Sequence, residues 1–141
     1  MIKLIKNDIS VEEYLYIRKC VDWKQLGINQ AKQAIEKSLY FVKAVDDDGK
    51  LIGMGRIVGD GAVVCYIQDL VVIPEYQGKG VGSMIINSLI EFVESIRFEE
   101  TTMMLCLMCA KGREPFYKKH GFIARPTDSL GHGMIQYLKE L

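Results

Sequence analysis

The sequence predicts a mixed α/β fold: a twisted, mostly antiparallel sheet with a central parallel pair, flanked by about four helices. Three observations carry this. Strand-like apolar runs take turns with segments whose apolar residues return every three or four positions. Asp46-Asp47-Asp48-Gly49 separates two such runs as a hairpin turn. The apolar stretch Ile67–Pro74 leads through Gln77-Gly78-Lys79-Gly80-Val81-Gly82-Ser83 into the strongest helical periodicity in the chain.

The elements follow in order. Ile2–Ile5 alternates as a first strand, and Ser10 with Glu13 forms a capping box that opens a helix to about Cys20. Val21–Ile28 is irregular and holds the only tryptophan, Trp23; Asn29 is then expected to cap a second helix reaching about Lys37. Tyr40–Val45 and Leu51–Val58 are the hairpin strands, and Gly59-Asp60-Gly61 turns into a long strand over Ala62–Ile73. Val81, Met84, Ile85, Leu89, Phe92, Val93 and Ile96 make one apolar helical face. Met103–Cys109 is continuously apolar, as in a strand buried on both faces beside a parallel neighbour. Pro115 suits the first turn of a short helix and Gly121 its left-handed end, after which Phe122–Ala124 and Met134–Leu138 are expected to complete the sheet.

Composition narrows the function classes. At 141 residues the chain is long enough for one core and too short for two, so residues 1–141 are read as a single domain. Lys+Arg and Asp+Glu are 18 each, which offers no basic field for nucleic acid. The start Met1–Lys6 alternates instead of building the apolar core of a signal peptide, and no run is long enough to span a membrane, so a cytoplasmic location is expected. Cys20, Cys65, Cys106 and Cys109 are scattered; no second ligand pair joins Cys106 and Cys109, so no metal is expected. Neither His120 nor His132 has a Ser or Cys partner at triad-like spacing.

The glycine turn carries the chemistry. Gly78, Gly80 and Gly82 keep Cβ atoms off alternate positions, so backbone N–H groups of the turn and of the first helical residues can converge on a phosphate. A nucleotide P-loop would need Lys followed by Ser or Thr after its last glycine, but Lys79 lies between glycines. The dinucleotide fingerprint would need glycine where Ser83 stands. What remains is Gln-x-x-Gly-x-Gly behind an apolar strand, followed later by Pro115-Phe116-Tyr117-Lys118-Lys119-His120-Gly121-Phe122.

In that pair of motifs, in that order, the chain resembles the GNAT superfamily of N-acetyltransferases over almost its whole length. The resemblance implies acetyl coenzyme A as donor and two parallel strands splayed to admit its pantetheine arm. Backbone groups of Leu70 and Val72, flanking Val71, would bond the pantetheine amides, while Gln77, Gly78, Lys79, Gly80, Val81, Gly82 and Ser83 would wrap the pyrophosphate. Tyr117 would stabilise or protonate the departing thiolate. Where polyamine-acetylating relatives carry a Glu base this chain has Gln68, which orients water or substrate but accepts no proton near neutral pH. Asp69 is the nearest carboxylate: a base if a bulge resets the strand, otherwise a structural acceptor for backbone N–H groups. Ala110 replaces an Asn that contacts the coenzyme in many relatives. The expected reaction is direct attack by a primary amine, of a small molecule before a protein or peptide, with Trp23 and His132 as candidates near the acceptor. A non-catalytic acyl coenzyme A sensor is the alternative, and a homodimer is compatible with the resemblance.

Overall fold

The computed structural model describes residues 1–139, which fold as two compact units, Met1–Leu107 and a second beginning at Met108.

The first unit is a five-stranded sheet in sequence order: β1 (Lys3–Lys6), β2 (Tyr40–Val45), β3 (Leu51–Gly59), β4 (Val64–Val72) and β5 (Met104–Leu107). Each of the first three neighbouring pairs is antiparallel, and β4 with β5 is parallel. Helix α1 (Val11–Cys20) begins with the predicted box: Ser10 Oγ accepts from the Glu13 N–H and Glu13 Oε1 from the Ser10 N–H, both at 3.0 Å. Helix α2 (Ile28–Lys37) corrects the Asn29 expectation. Its cap is Gly27, whose N–H donates to Gln30 Oε1 at 3.1 Å, because the chain turns helical one residue before Asn29. Asp60 Oδ1 accepts from the N–H groups of Ala62, Val63 and Val64, which delays β4 to Val64.

Helix α3 (Val81–Ile96) lies on one face of the sheet, where Gly53 and Gly55 of β3 let it approach. A methyl group at Gly55 would stand 2.7 Å from Ile85 Cγ2 and 2.8 Å from Leu89 Cδ1. The predicted face is shifted: Val81, Ile85, Leu89 and Val93 are buried as expected, Ile86 and Ser88 join them, and Met84 is partly exposed. Ser88 is satisfied in the interior by the Tyr40 hydroxyl at 2.7 Å. The core continues through Val42, Ile52, Met54 and Ile57.

Three further expectations at the C-terminal end are corrected. The parallel pair lies at one end of the sheet, not at its centre. The Met103–Cys109 run shortens to β5, whose Met104 is 54% exposed, because an end strand has only one neighbour. Phe122–Ala124 and Met134–Leu138 form no strand. Phe122–Ala124 is confined between the Gly121 turn and Pro126, and the chain beyond closes on itself, with the Thr127 N–H on the Leu130 carbonyl and Thr127 Oγ1 accepting from Ser129 and Leu130. Met134–Leu138 has strand composition without a ladder partner, and composition alone pairs nothing.

The second unit contains helix α4 (Glu114–Lys119), with Pro115 in its first turn. Gly121 takes the predicted left-handed position at φ +94°, and the Phe122 N–H reaches back to the Tyr117 carbonyl at 3.1 Å. Among the described residues no helix is long and apolar enough to cross a membrane.

Candidate functional site

Strand β4 is where the chemistry gathers. Its parallel pairing with β5 ends at Ile67↔Leu107, while β4 continues to Val72. The Ile73 N–H donates to the Ile52 carbonyl at 2.9 Å, toward β3. Adjacent residues of a strand direct their backbone groups to opposite sides, so those of Val72, and of Leu70 two positions earlier, face away from β3. This is the edge predicted to receive an extended ligand. Val71, between them, turns its backbone to β3 and its side chain into the core at 2% exposure. The Val72 carbonyl already accepts from Gln77 Nε2 at 2.9 Å, which folds the following turn back toward the strand.

That turn is open and built on two left-handed residues. Pro74–Tyr76 makes a single 3₁₀ turn, then Gly78 (φ +77°) and Gly80 (φ +85°) swing the chain into α3, with Gly80 as its N-cap. Nothing lies within 4 Å of where a Cβ would stand on either, so these glycines serve backbone conformation and leave the concave side clear. Val81 is 1% exposed and anchors the helix start, Gly82 and Ser83 are half-buried behind it, and Gln77 and Lys79 are exposed. Lys79 Nζ sits 5.2 Å from the centre of the Tyr76 ring. The Tyr76 hydroxyl donates to Asp46 Oδ2 at 3.0 Å, while Asp46 Oδ1 accepts from the Asp48 and Lys50 N–H groups, so the β2–β3 hairpin braces the turn.

Upstream, β4 carries the bulge that would decide the fate of Asp69. Gly55 pairs with Leu70 and Ile57 with Ile67, leaving Gln68 and Asp69 together opposite Arg56. Gln68 is exposed there. Asp69 is turned into the protein on the face opposite α3, its side chain 1% exposed. Its Oδ2 accepts from the Tyr14 hydroxyl at 2.5 Å and from Arg56 Nε at 3.1 Å, its Oδ1 from Arg18 Nη1 at 2.9 Å. Burial, then the Asp69 charge, push the Tyr14 phenol up to about 12. This network joins residues far apart in sequence and had no motif to announce it.

Arg18 extends the network outward. Its Nη2 donates to the Lys24 carbonyl at 3.0 Å and its guanidinium lies 5.3 Å from the Trp23 ring centre. Both belong to the irregular segment between α1 and α2, where Tyr16, Arg18, Asp22 and Trp23 help line a cavity of about 360 Å³. Trp23 therefore stands on a cavity wall.

Within the second unit, Tyr117 packs edge-on against Phe116 (5.1 Å between centres) and Phe122 (5.9 Å). Burial above all, with the neighbouring Cys109 adding and Arg113 opposing, pushes its phenol up to about 12. It is thus a proton donor throughout the physiological range. Cys109 is a free thiol that contacts its neighbour's carbonyl, Ala110 O, at 3.1 Å. Ala110 and His132 are exposed.

A family model described as the acetyltransferase (GNAT) family matches residues 8–122. The chain belongs to the GNAT family. Its fold matches a Staphylococcus aureus protein described as a probable acetyltransferase, with 28% identity, a TM-score of 0.84, and coverage of 99% of this chain and 100% of that one. A GNAT family protein of Streptococcus pneumoniae matches at 28% identity and a TM-score of 0.82, again over 99% and 100% of the two chains. In sequence, the uncharacterized N-acetyltransferase ycf52 of Pyropia yezoensis is 28% identical over 128 residues, covering 89% of this chain and 71% of that protein. The chain is thus an α/β acetyltransferase of the GNAT family, and amines are the acceptors of that family.

Proposed function

We propose that this GNAT protein moves the acetyl group of acetyl coenzyme A to the primary amine of a small molecule by direct attack in a ternary complex. The observation that carries the reading is the continuity of two unlike features: the open Leu70–Val72 edge of β4, and the left-handed glycine turn into which it runs. A ligand fitting both needs amides at one end and a diphosphate at the other, and coenzyme A has that constitution.

The acceptor nitrogen attacks the thioester carbonyl, the carbon–sulfur bond breaks, and sulfur leaves with the electron pair. Tyr117, holding its proton to about pH 12, gives that proton to the sulfur and regains one from water. The proton lost by the acylated nitrogen passes to solvent. Gln68, exposed at the bulge, serves to orient acceptor or water. The balance of 18 basic against 18 acidic residues supports a small-molecule acceptor over a highly charged peptide.

The test is titration calorimetry with acetyl coenzyme A, against desulfo coenzyme A and ATP, followed by thiol release across an amine panel. Specific binding of both coenzyme forms and amine-dependent thiol release are expected. No coenzyme binding, or preference for ATP, overturns the reading.

A further inference from the structure

We propose that Asp69 is a positioning residue: held by Tyr14, Arg18 and Arg56, it fixes the β4 bulge and so aims the Leu70–Val72 edge at the pantetheine arm. The inference rests on the coenzyme reading of that edge. It makes Asp69 a structural acceptor in place of the general base, with side-chain donors where backbone N–H groups were expected.

A bulge interrupts its ladder and is locally soft unless something outside the ladder fixes it. Here Asp69 lies in the bulge itself, and Leu70 follows it directly. Three side chains from two elements converge on its carboxylate: Tyr14 and Arg18 from α1, and Arg56 from β3. Arg56 is also the single residue opposite the bulge, so it clamps the distortion across the strand pair, while α1 clamps it from one face. Both guanidiniums are nearly buried, at 10% and 12% side-chain exposure, and Asp69 is the one carboxylate to which either pairs among the described residues. Such a charge triad is poor material for added stability, since desolvation opposes its Coulomb attraction; specifying one geometry is the better-attested use of buried polar groups. A carboxylate taking three donors at 1% exposure is also badly placed to collect a proton from an incoming amine.

The test compares two ligands on the full chain: desulfo coenzyme A, which spans strand edge and glycine turn, and 3′-phosphoadenosine 5′-diphosphate, which has the nucleotide half alone. Affinities are read by calorimetry and by competition for Asp69→Asn and Tyr14→Phe, with circular dichroism as the check on folding. The expected result is loss of about tenfold in desulfo coenzyme A affinity for Asp69→Asn, a smaller loss for Tyr14→Phe, and little change for the nucleotide half. In turnover, KM for acetyl coenzyme A rises far more than kcat falls. Equal weakening of both ligands, or unchanged binding in folded variants, overturns the proposal. So does a collapse of kcat with binding intact, which returns Asp69 to the role of base. If Asp69→Asn does not fold, Tyr14→Phe decides alone. Failure of the wild-type chain to bind desulfo coenzyme A defeats the acetyltransferase reading itself.

Discussion

Replacing Gly80 by Ala tests whether the turn is built for backbone shape. At φ +85° and ψ 1° the residue is left-handed, and a Cβ there meets nothing within 4 Å, so no steric clash enters the reckoning. An L residue in that region costs about 1–2 kcal/mol. Reduced freedom of the unfolded chain returns about 0.4–1 kcal/mol, leaving a net destabilisation of about 1 kcal/mol. For a chain of this size that lowers the melting temperature by roughly 3–5 °C. Because the strain is relieved by rotating the peptides proposed to face the pyrophosphate, acetyl coenzyme A affinity is expected to fall by about tenfold, more than the stability change alone would give. Asparagine tolerates the left-handed region, so Gly80→Asn recovers much of both losses. Calorimetric melting and titration on the three proteins read the outcome. A Gly80→Ala protein with wild-type melting and affinity, or a Gly80→Asn protein as damaged as the alanine variant, refutes the reasoning.

Tyr117→Phe leaves acetyl coenzyme A binding unchanged and lowers kcat by about 10²–10⁴-fold; unchanged kcat would instead remove Tyr117 from the role of proton donor. Since Tyr117 stays protonated until about pH 12, the rate rises with acceptor deprotonation and shows no falling limb from this group below about pH 11, which a pH–rate profile checks. Tyr14, raised from 10.0 to about 12 in the folded state, contributes stability that is complete below pH 10 and lost as pH rises toward 12. Alkaline denaturation should therefore steepen in that window, and Tyr14→Phe should remove this component. Gly55→Ala forces Ile85 and Leu89 to move and costs about 1–3 kcal/mol in denaturant melts, with coenzyme affinity retained. Ser10→Ala removes one half of the α1 cap and costs about 1 kcal/mol.

What the sequence made legible was local. The Ser10–Glu13 box, the Asp46–Gly49 turn, the periodicity of α3 and the glycine turn each depend on residues within a few positions of one another, and each formed nearly where expected. Of the candidate site, the left-handed Gly78 and Gly80 follow from backbone need, while Leu70 and Val72 were named only because the family resemblance implies them. The donors that hold Asp69 were not legible, because they stand 55, 51 and 13 residues away from it and only the fold brings them together. The bulge that exposes Gln68 while burying Asp69 is equally silent in a run that reads as plain strand. The segments near the C-terminus failed for the opposite reason: Phe122–Ala124 and Met134–Leu138 have the side chains of strands, but pairing is a property of two segments and no pattern in one of them supplies the other.

The bond from Tyr76 to Asp46 has a practical side for anyone redesigning the molecule. A tight surface hairpin such as Asp46–Gly49 is ordinarily the first choice for grafting an epitope or opening a new chain end. In this protein the same aspartate that shapes the hairpin also steadies the approach to the glycine turn, so a graft there would reach the proposed donor site without touching it. Such a chimera would fold and carry its tag, and be discarded as a poor enzyme for a fault lying two strands away from the insertion.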